Sequence, residues 1–154
     1  MKDLTLDIAE GKLNIRVAAW IEHEDQILVS TFPDGSISLV GGRLKFSETT
    51  LEGIQREVFE ETGEYFNSPV LFAIVENFFY DPVVGCHFHE FLYIYKGSIQ
   101  TKACYLEDVT EAQVISWMPK HEIKRLKPDV LHDLALRSLR SSEHVIHLVN
   151  LESR

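Results

Sequence analysis

The stretch that decides the fold runs from residue 42 to residue 63 and reads GRLKFSETTLEGIQREVFEETG. It carries Glu48, Glu52, Glu57, Glu60 and Glu61, with Glu64 just beyond. A helix is the natural reading. Ser47 and Thr49 offer hydroxyls that can cap its start, acids follow in the first turn, and Gly63 stands where a helix should stop. On a wheel of about 100° per residue, Leu51, Ile54 and Val58 form an apolar stripe. Glu57, Glu60, Glu61 and Glu64 crowd one turn of the opposite side. Like charges three or four residues apart cost about 0.2–0.5 kcal/mol per pair, and a sequence selected only for solubility would intersperse lysines. Hard divalent cations remove that penalty, because they take oxygen ligands and favour carboxylates. Gly53, one turn earlier on the acidic side, leaves room for an approaching group. Arg56 stands within reach of Glu52 and Glu60, where it can hold a carboxylate in place.

Outward from this segment, the chain reads as one domain. Its 154 residues are 45% hydrophobic, enough for a core, and its net charge is -9. That charge argues against general binding to a nucleic-acid backbone, which needs basic surface. A small phosphorylated substrate stays open, since a bound metal inverts the local sign. Cys86 and Cys104 make neither a disulfide framework nor a zinc pattern. The first 16 residues are polar and broken by charges, and no apolar run is long enough to span a membrane. The expectation is a soluble cytoplasmic protein.

Residues 3–9 alternate polar and apolar, as a short edge strand does. Leu13, Ile15, Val17 and Ala19 alternate with Asn14, Arg16 and Ala18, the period of a half-buried strand. Residues 22–25 read as a hairpin turn and Gln26 to Thr31 as the returning strand. Phe32-Pro33-Asp34-Gly35 is a turn, and Ser36 to Val40 is a short strand leading into a Gly41-Gly42 turn. Residues 68–78 and 87–95 are β-rich runs joined by a loop at 81–85. Alternation puts His87 and His89 on one strand face and Glu90 on the other, which argues against a histidine metal site. Residues 106–110 form an acidic loop, 114–118 a strand and 119–125 a short helix. Pro128 suits the first turn of a last helix, with Val130, Leu131, Leu134, Ala135 and Leu139 as its apolar stripe. The tail from Ser142 is apolar enough to pack, on its own domain or on a partner subunit.

The decisive segment resembles the signature box of the Nudix hydrolases. That box is a glycine, five residues, Glu, seven residues, Arg-Glu, an aliphatic, any residue, Glu-Glu, any residue, Gly and an aliphatic. Gly42, Glu48, Arg56, Glu57, Val58, Glu60, Glu61 and Gly63 stand at those spacings. Two positions depart: Glu64 replaces the final aliphatic, and Val40 stands where a proline is frequent before the glycine pair. The resemblance implies a Nudix-type α/β/α sandwich, a mixed sheet between a catalytic helix and a C-terminal helix. The domain would cover residues 1–154, with a core of about 13–140 and a tail of 141–154. It implies Mg²⁺, for which Mn²⁺ can substitute, and hydrolysis of a nucleoside diphosphate linked to another moiety. Dimers are common in the family, so a homodimer is an open alternative.

A carboxylate-rich helix face beside accessible backbone suits magnesium, which binds through a few carboxylates and substrate phosphates. Glu57, Glu60 and Glu61 are the expected metal ligands, with the Gly42 carbonyl beside them. Arg56 would orient a glutamate, and Glu48 would assist. Relatives carry a glutamate in the loop before a strand ending in tryptophan. Glu111 matches that placement ahead of Trp117 and leads as general base, with Glu107 as the alternative position and Glu57 second for the role. Candidate substrate contacts are Arg16 and Arg43 for phosphate, Phe79 and Tyr80 for stacking on a base, and Glu90. The array SQPWPFP of NADH pyrophosphatases is absent, and Phe79 replaces the proline that often marks ADP-ribose hydrolases. Oxidised nucleoside triphosphates, dinucleoside polyphosphates and nucleotide sugars remain. The competing readings are a catalytically silent nucleotide-binding regulatory domain and a plain acidic helix on an unrelated protein.

Overall fold

The computed structural model describes residues 2–100, 113–137 and 144–152. Among them run β1 (Thr5–Ile8), β2 (Gly11–Trp20), β3 (Glu22–His23), β4 (Gln26–Thr31), β5 (Ile37–Arg43), α1 (Thr50–Thr62), β6 (Asn67–Asp81), β7 (Cys86–Ser98), β8 (Val114–Pro119), α2 (His132–Arg137) and β9 (Ile146–Leu151). Short 3₁₀ segments at Lys120–Arg125 and Asp129–Leu131 lead into α2. The strands form a mixed sheet in the order β3-β4-β5-β2-β7-β6-β9, with β1 also beside β2 and β8 also beside β4. Two pairings are parallel, β2 with β7 and β6 with β9.

Alternation along β2 divides the core in two. Val17 and Ala19 point to one face, where they meet Ile54 and Val58 of α1, Val40 and Tyr95. Ala18 and Trp20 point to the other, where Leu92, Ile94 and Val75 lie under Leu131 and Leu134. Helical segments thus cover both faces of the sheet, the expected α/β/α arrangement. Each fully buried aliphatic or aromatic side chain contributes about 1.5–3 kcal/mol, so neither layer is dispensable.

α1 starts on a capping box: Glu52 N–H donates to Thr49 Oγ1, and Thr49 N–H donates to Glu52 Oε2. It ends at Gly63, whose φ of 75° is the left-handed conformation that favours glycine. Ile54 and Val58 are fully buried, but Leu51 is 39% exposed, so the apolar stripe is narrower than expected. The space at Gly53 is not left for a ligand. A Cβ there would stand 2.5 Å from Leu44 Cδ1, so the glycine lets the helix close on the sheet.

Two further expectations change, and an open one is decided. Gly41 and Gly42 are not a turn but the end of β5, paired with Ala18 and Val17 of β2. A Cβ on Gly41 would collide with the Val17 carbonyl, so close approach of two strands is what requires glycine. The last helix is brief, with Pro128 just ahead of its leading 3₁₀ segment; Leu139 lies outside the described residues. The tail supplies a strand, β9, which extends this chain's own sheet beside β6.

Candidate active site

α1 presents Glu57 and Glu61 inward, across the end of β5, rather than to solvent. The glycines there have no side chain to block them. A Cβ on Gly42 would lie 2.6 Å from Glu57 Oε1, and the Gly41 amide donates to Glu61 Oε2 at 3.3 Å. Burial pushes the Glu61 carboxyl up to about 8, helped by the neighbouring Glu57 charge, and burial likewise raises Glu57. Glu60 is half exposed on the outer side.

Arg56 is the counterion that makes this crowding tolerable. Its Nε donates to Glu48 Oε1 at 2.5 Å and its Nη2 to Glu48 Oε2 at 3.1 Å, a two-point clamp. Its Nη1 reaches Glu57 Oε1 at 2.8 Å and Glu60 Oε2 at 3.2 Å. The Arg56 guanidinium holds the Glu48 carboxyl below its ordinary range, and Glu48 in turn accepts the Lys45 amide. Sequence reasoning places Arg56 within reach of Glu52 and Glu60; the Glu60 contact is present, while the capping box takes Glu52 and Glu48 stands in its place.

Among the described residues, no three acidic, histidine or cysteine side chains form a ready-made metal cage. The donor set nonetheless fits a hard divalent ion. Two partly buried carboxylates press on open backbone, and the one with the most raised pKa lies against the other's charge. Magnesium needs only one or two protein carboxylates, filling its octahedron with waters and substrate oxygens.

On the opposite face of the sheet lies a cleft of about 740 Å³. Arg16, Asn77, Phe79 and Glu90 line it, and Gly41 joins it to the acidic ridge. Arg16 belongs electrostatically to both regions: its charge lowers the carboxyls of Glu57 and Glu61 while its side chain lines the cleft. Glu90 and Asn77 of the cleft floor belong to a row in direct register across the sheet, Asn14, Glu90, Asn77 and Asn150 on β2, β7, β6 and β9. All four are buried. Asn14 Nδ2 donates to Glu90 Oε2 at 3.0 Å, Asn77 Nδ2 to Glu90 Oε1 at 3.3 Å, and Asn150 Nδ2 to Asn77 Oδ1 at 2.8 Å.

The other candidates fall apart by strand parity. Phe79 lines the cleft and stacks on Phe88 with centroids 4.9 Å apart. Tyr80, one residue on, points to the other face, away from the cleft, with its ring 5.1 Å from that of His87. Arg43 is not in the cleft lining; its guanidinium lies 4.0 Å from Asp3, and its carbonyl accepts from Arg56. Glu111 and Glu107 lie outside the described residues. Gln113, which sequence reasoning passed over, donates from Nε2 to Glu61 Oε1 at 3.3 Å and bonds Ser30 Oγ. Nothing local marks Gln113, because its partners are 52 and 83 residues away in the chain.

A glutamate helix packed on a mixed sheet, with an arginine-clamped acidic ridge beside a cleft, places the molecule among α/β proteins that gather carboxylates at a sheet edge. The family model described as NUDIX domain matches residues 12–138, and the chain belongs to that family. Its members are hydrolases of phosphorus-containing anhydrides and generally use a divalent metal. Solved structures agree on the fold. A MutT protein from Bacillus halodurans superposes with a TM-score of 0.63 at 23% identity, covering 87% of this chain and 89% of that one. A NUDIX hydrolase from Nitrosomonas europaea gives 0.64 at 18% identity, covering 90% and 78%. An ADP-ribose pyrophosphatase from Streptococcus suis gives 0.56 at 19% identity, covering 89% and 98%. No curated protein sequence matches the chain.

Proposed function

We propose that this protein is a Mg²⁺-dependent pyrophosphohydrolase, with Mn²⁺ able to substitute, acting on a nucleoside diphosphate linked to another moiety. The observation that carries the reading is the junction at Gly41–Gly42, where Glu57 and Glu61 meet the end of a nucleotide-sized cleft that Arg16 also lines. Glu57, Glu60, Glu61 and the Gly42 carbonyl would hold the metal. When bound, the metal neutralises phosphate oxygens and lowers the pKa of an attacking water. Arg56 fixes the Glu48, Glu57 and Glu60 carboxylates in place. Arg16 contacts the phosphates where they leave the cleft. Glu111 takes the proton from the attacking water, with Glu57 as the alternative base. Phe79 and Glu90 contact the nucleoside. The site of action is the cytoplasm; among the described residues no helix is long and apolar enough to cross a membrane. The Streptococcus suis protein of similar fold is an ADP-ribose pyrophosphatase, and ADP-ribose belongs to the same substrate class, which supports the reading.

The test is release of phosphorylated products from a panel of nucleoside diphosphate derivatives, with Mg²⁺, with Mn²⁺ and with chelator. Turnover that requires the metal and disappears in Glu60→Gln and Glu61→Gln, both still folded, is the expected result. Full turnover in those variants would reject the ligand assignment. Nucleotide binding without any turnover would favour a silent regulatory domain.

A further inference from the structure

We infer that the cleft floor selects a nucleobase with adjacent N–H donors, as guanine offers through N1–H and its 2-amino group, and that Glu90 is the selecting residue. The inference rests on the nucleotide reading above and adds which base is taken. Glu90 is 7% exposed, and among the described residues its side chain bonds only the amides of Asn14 and Asn77. A carboxylate has about four lone-pair sites, so two neutral donors leave half of its accepting capacity, and Glu90 lines the cleft. A ligand that reaches this floor must bring donors.

Asn77 lines the cleft beside it and gives one of its two amide hydrogens to Glu90. The pair therefore presents one donor next to two acceptors. Guanine's edge is the complement, with O6 accepting from Asn77 while N1–H and the 2-amino group donate to Glu90. Adenine would set its N1 lone pair against a carboxylate oxygen. Uracil has one N–H between two carbonyls. The lining is mixed: Phe79 and Leu92 give apolar wall beside the floor, while Asp34, Asp81, Lys127 and Glu152 are charged groups elsewhere in the cleft. A flat base turns apolar faces to such walls and keeps its polar edge for the floor.

Calorimetric titration with nucleoside monophosphates, in chelator, reads this preference without metal or turnover. Failure here is thereby distinguishable from failure of the hydrolase reading. GMP should bind at least about tenfold more tightly than IMP, which lacks only the 2-amino group, since a hydrogen bond to a charged group is worth that factor or more. AMP and UMP should bind more weakly still. Glu90→Gln should level GMP and IMP. Equal affinities in the unaltered protein, no binding of any of the four at millimolar concentration, or a preference that survives Glu90→Gln would overturn the inference. Tighter binding of glucose 1-phosphate than of GMP would overturn it too and assign the floor to a sugar. If Glu90→Gln does not fold, the GMP–IMP comparison on the unaltered protein decides.

Discussion

Glu61, partly buried, and Glu90, buried, stand on opposite faces of one sheet in opposite surroundings. Glu61 sits against the Glu57 charge and, among the described residues, accepts long bonds from the Gly41 and Gln113 amides, and its carboxyl is pushed up to about 8. Glu90 has no charged neighbour in its row and accepts a carboxamide on each oxygen. The first arrangement is unfavourable until a cation arrives. The second is satisfied by the protein alone and lies ready to receive donors. A chemical site and a recognition site differ in this way: one stores electrostatic tension, the other holds a fixed pattern of hydrogen bonds.

Removing the tension is the harshest way to break the contrast. Glu61→Gln should lower kcat by more than the 10–100-fold typical of residues that only orient metal ligands. In chelator at pH 9, where Glu61 is ionised, the same variant should melt no lower than the parent, because a neutral amide replaces a buried charge. Thermal melts and initial rates on one preparation check both halves, and a large loss of stability would show that Glu61 is structural. Arg56→Ala attacks the ridge from the other side. It strips the counterion from Glu48, Glu57 and Glu60, and Arg56 is 21% exposed. Breaking a fully buried pair costs about 3–5 kcal/mol, and partial exposure reduces this to about 2–4 kcal/mol, readable as a lower urea midpoint at unchanged m-value.

The ridge was legible in the sequence because its information is local. Gly42 through Gly63 fixes the helix, its caps and the order of its acids within one continuous segment. Even there, Gly41–Gly42 reads as a turn and is a strand end, since glycine suits a turn and a close strand pairing equally. The Val17 carbonyl that decides between them is 24 residues away. Of the two partners the wheel offers Arg56, Glu60 is met and Glu52 is not, because capping has first claim on Glu52. The polar row was illegible. Each of Asn14, Asn77 and Asn150 alone reads as a loop residue or a solvated strand position. They become a site only through the register of four strands, two of the three pairings being parallel and joined by long connections. Tyr80 and Phe79 were indistinguishable by composition, and strand parity separates them.

Titration sharpens the contrast at lower cost. Glu61 has a folded-state value of about 8 against an ordinary 4.5, so between those limits the folded protein binds more protons than the unfolded chain. Stability of that kind is present at low pH and lost as pH rises. The shift of Glu57 has the same direction. In chelator the melting temperature should therefore fall by a few degrees from about pH 5.5 to about pH 8.5. Mg²⁺ competes with the proton, so the gain in melting temperature on adding it should be larger at the higher pH. A magnesium effect that is the same at both ends would separate metal binding from these carboxylates.

The smallest effect concerns the far end of the row. Asn150 is carried by β9, and its amide is the donor to Asn77 Oδ1. Asn150→Ala leaves that buried oxygen without its protein donor, which costs about 1–3 kcal/mol. Val149→Ala, on the same strand but 46% exposed, should stay within about 0.5 kcal/mol of the parent. The pair of variants asks whether β9 is held by the polar row or merely lies along the sheet edge. Equal, small losses would mean that the tail adds backbone pairing and nothing to the cleft floor. A loss confined to Asn150→Ala would mean that the last strand completes the row, fixing Asn77 in the orientation that points its amide at Glu90.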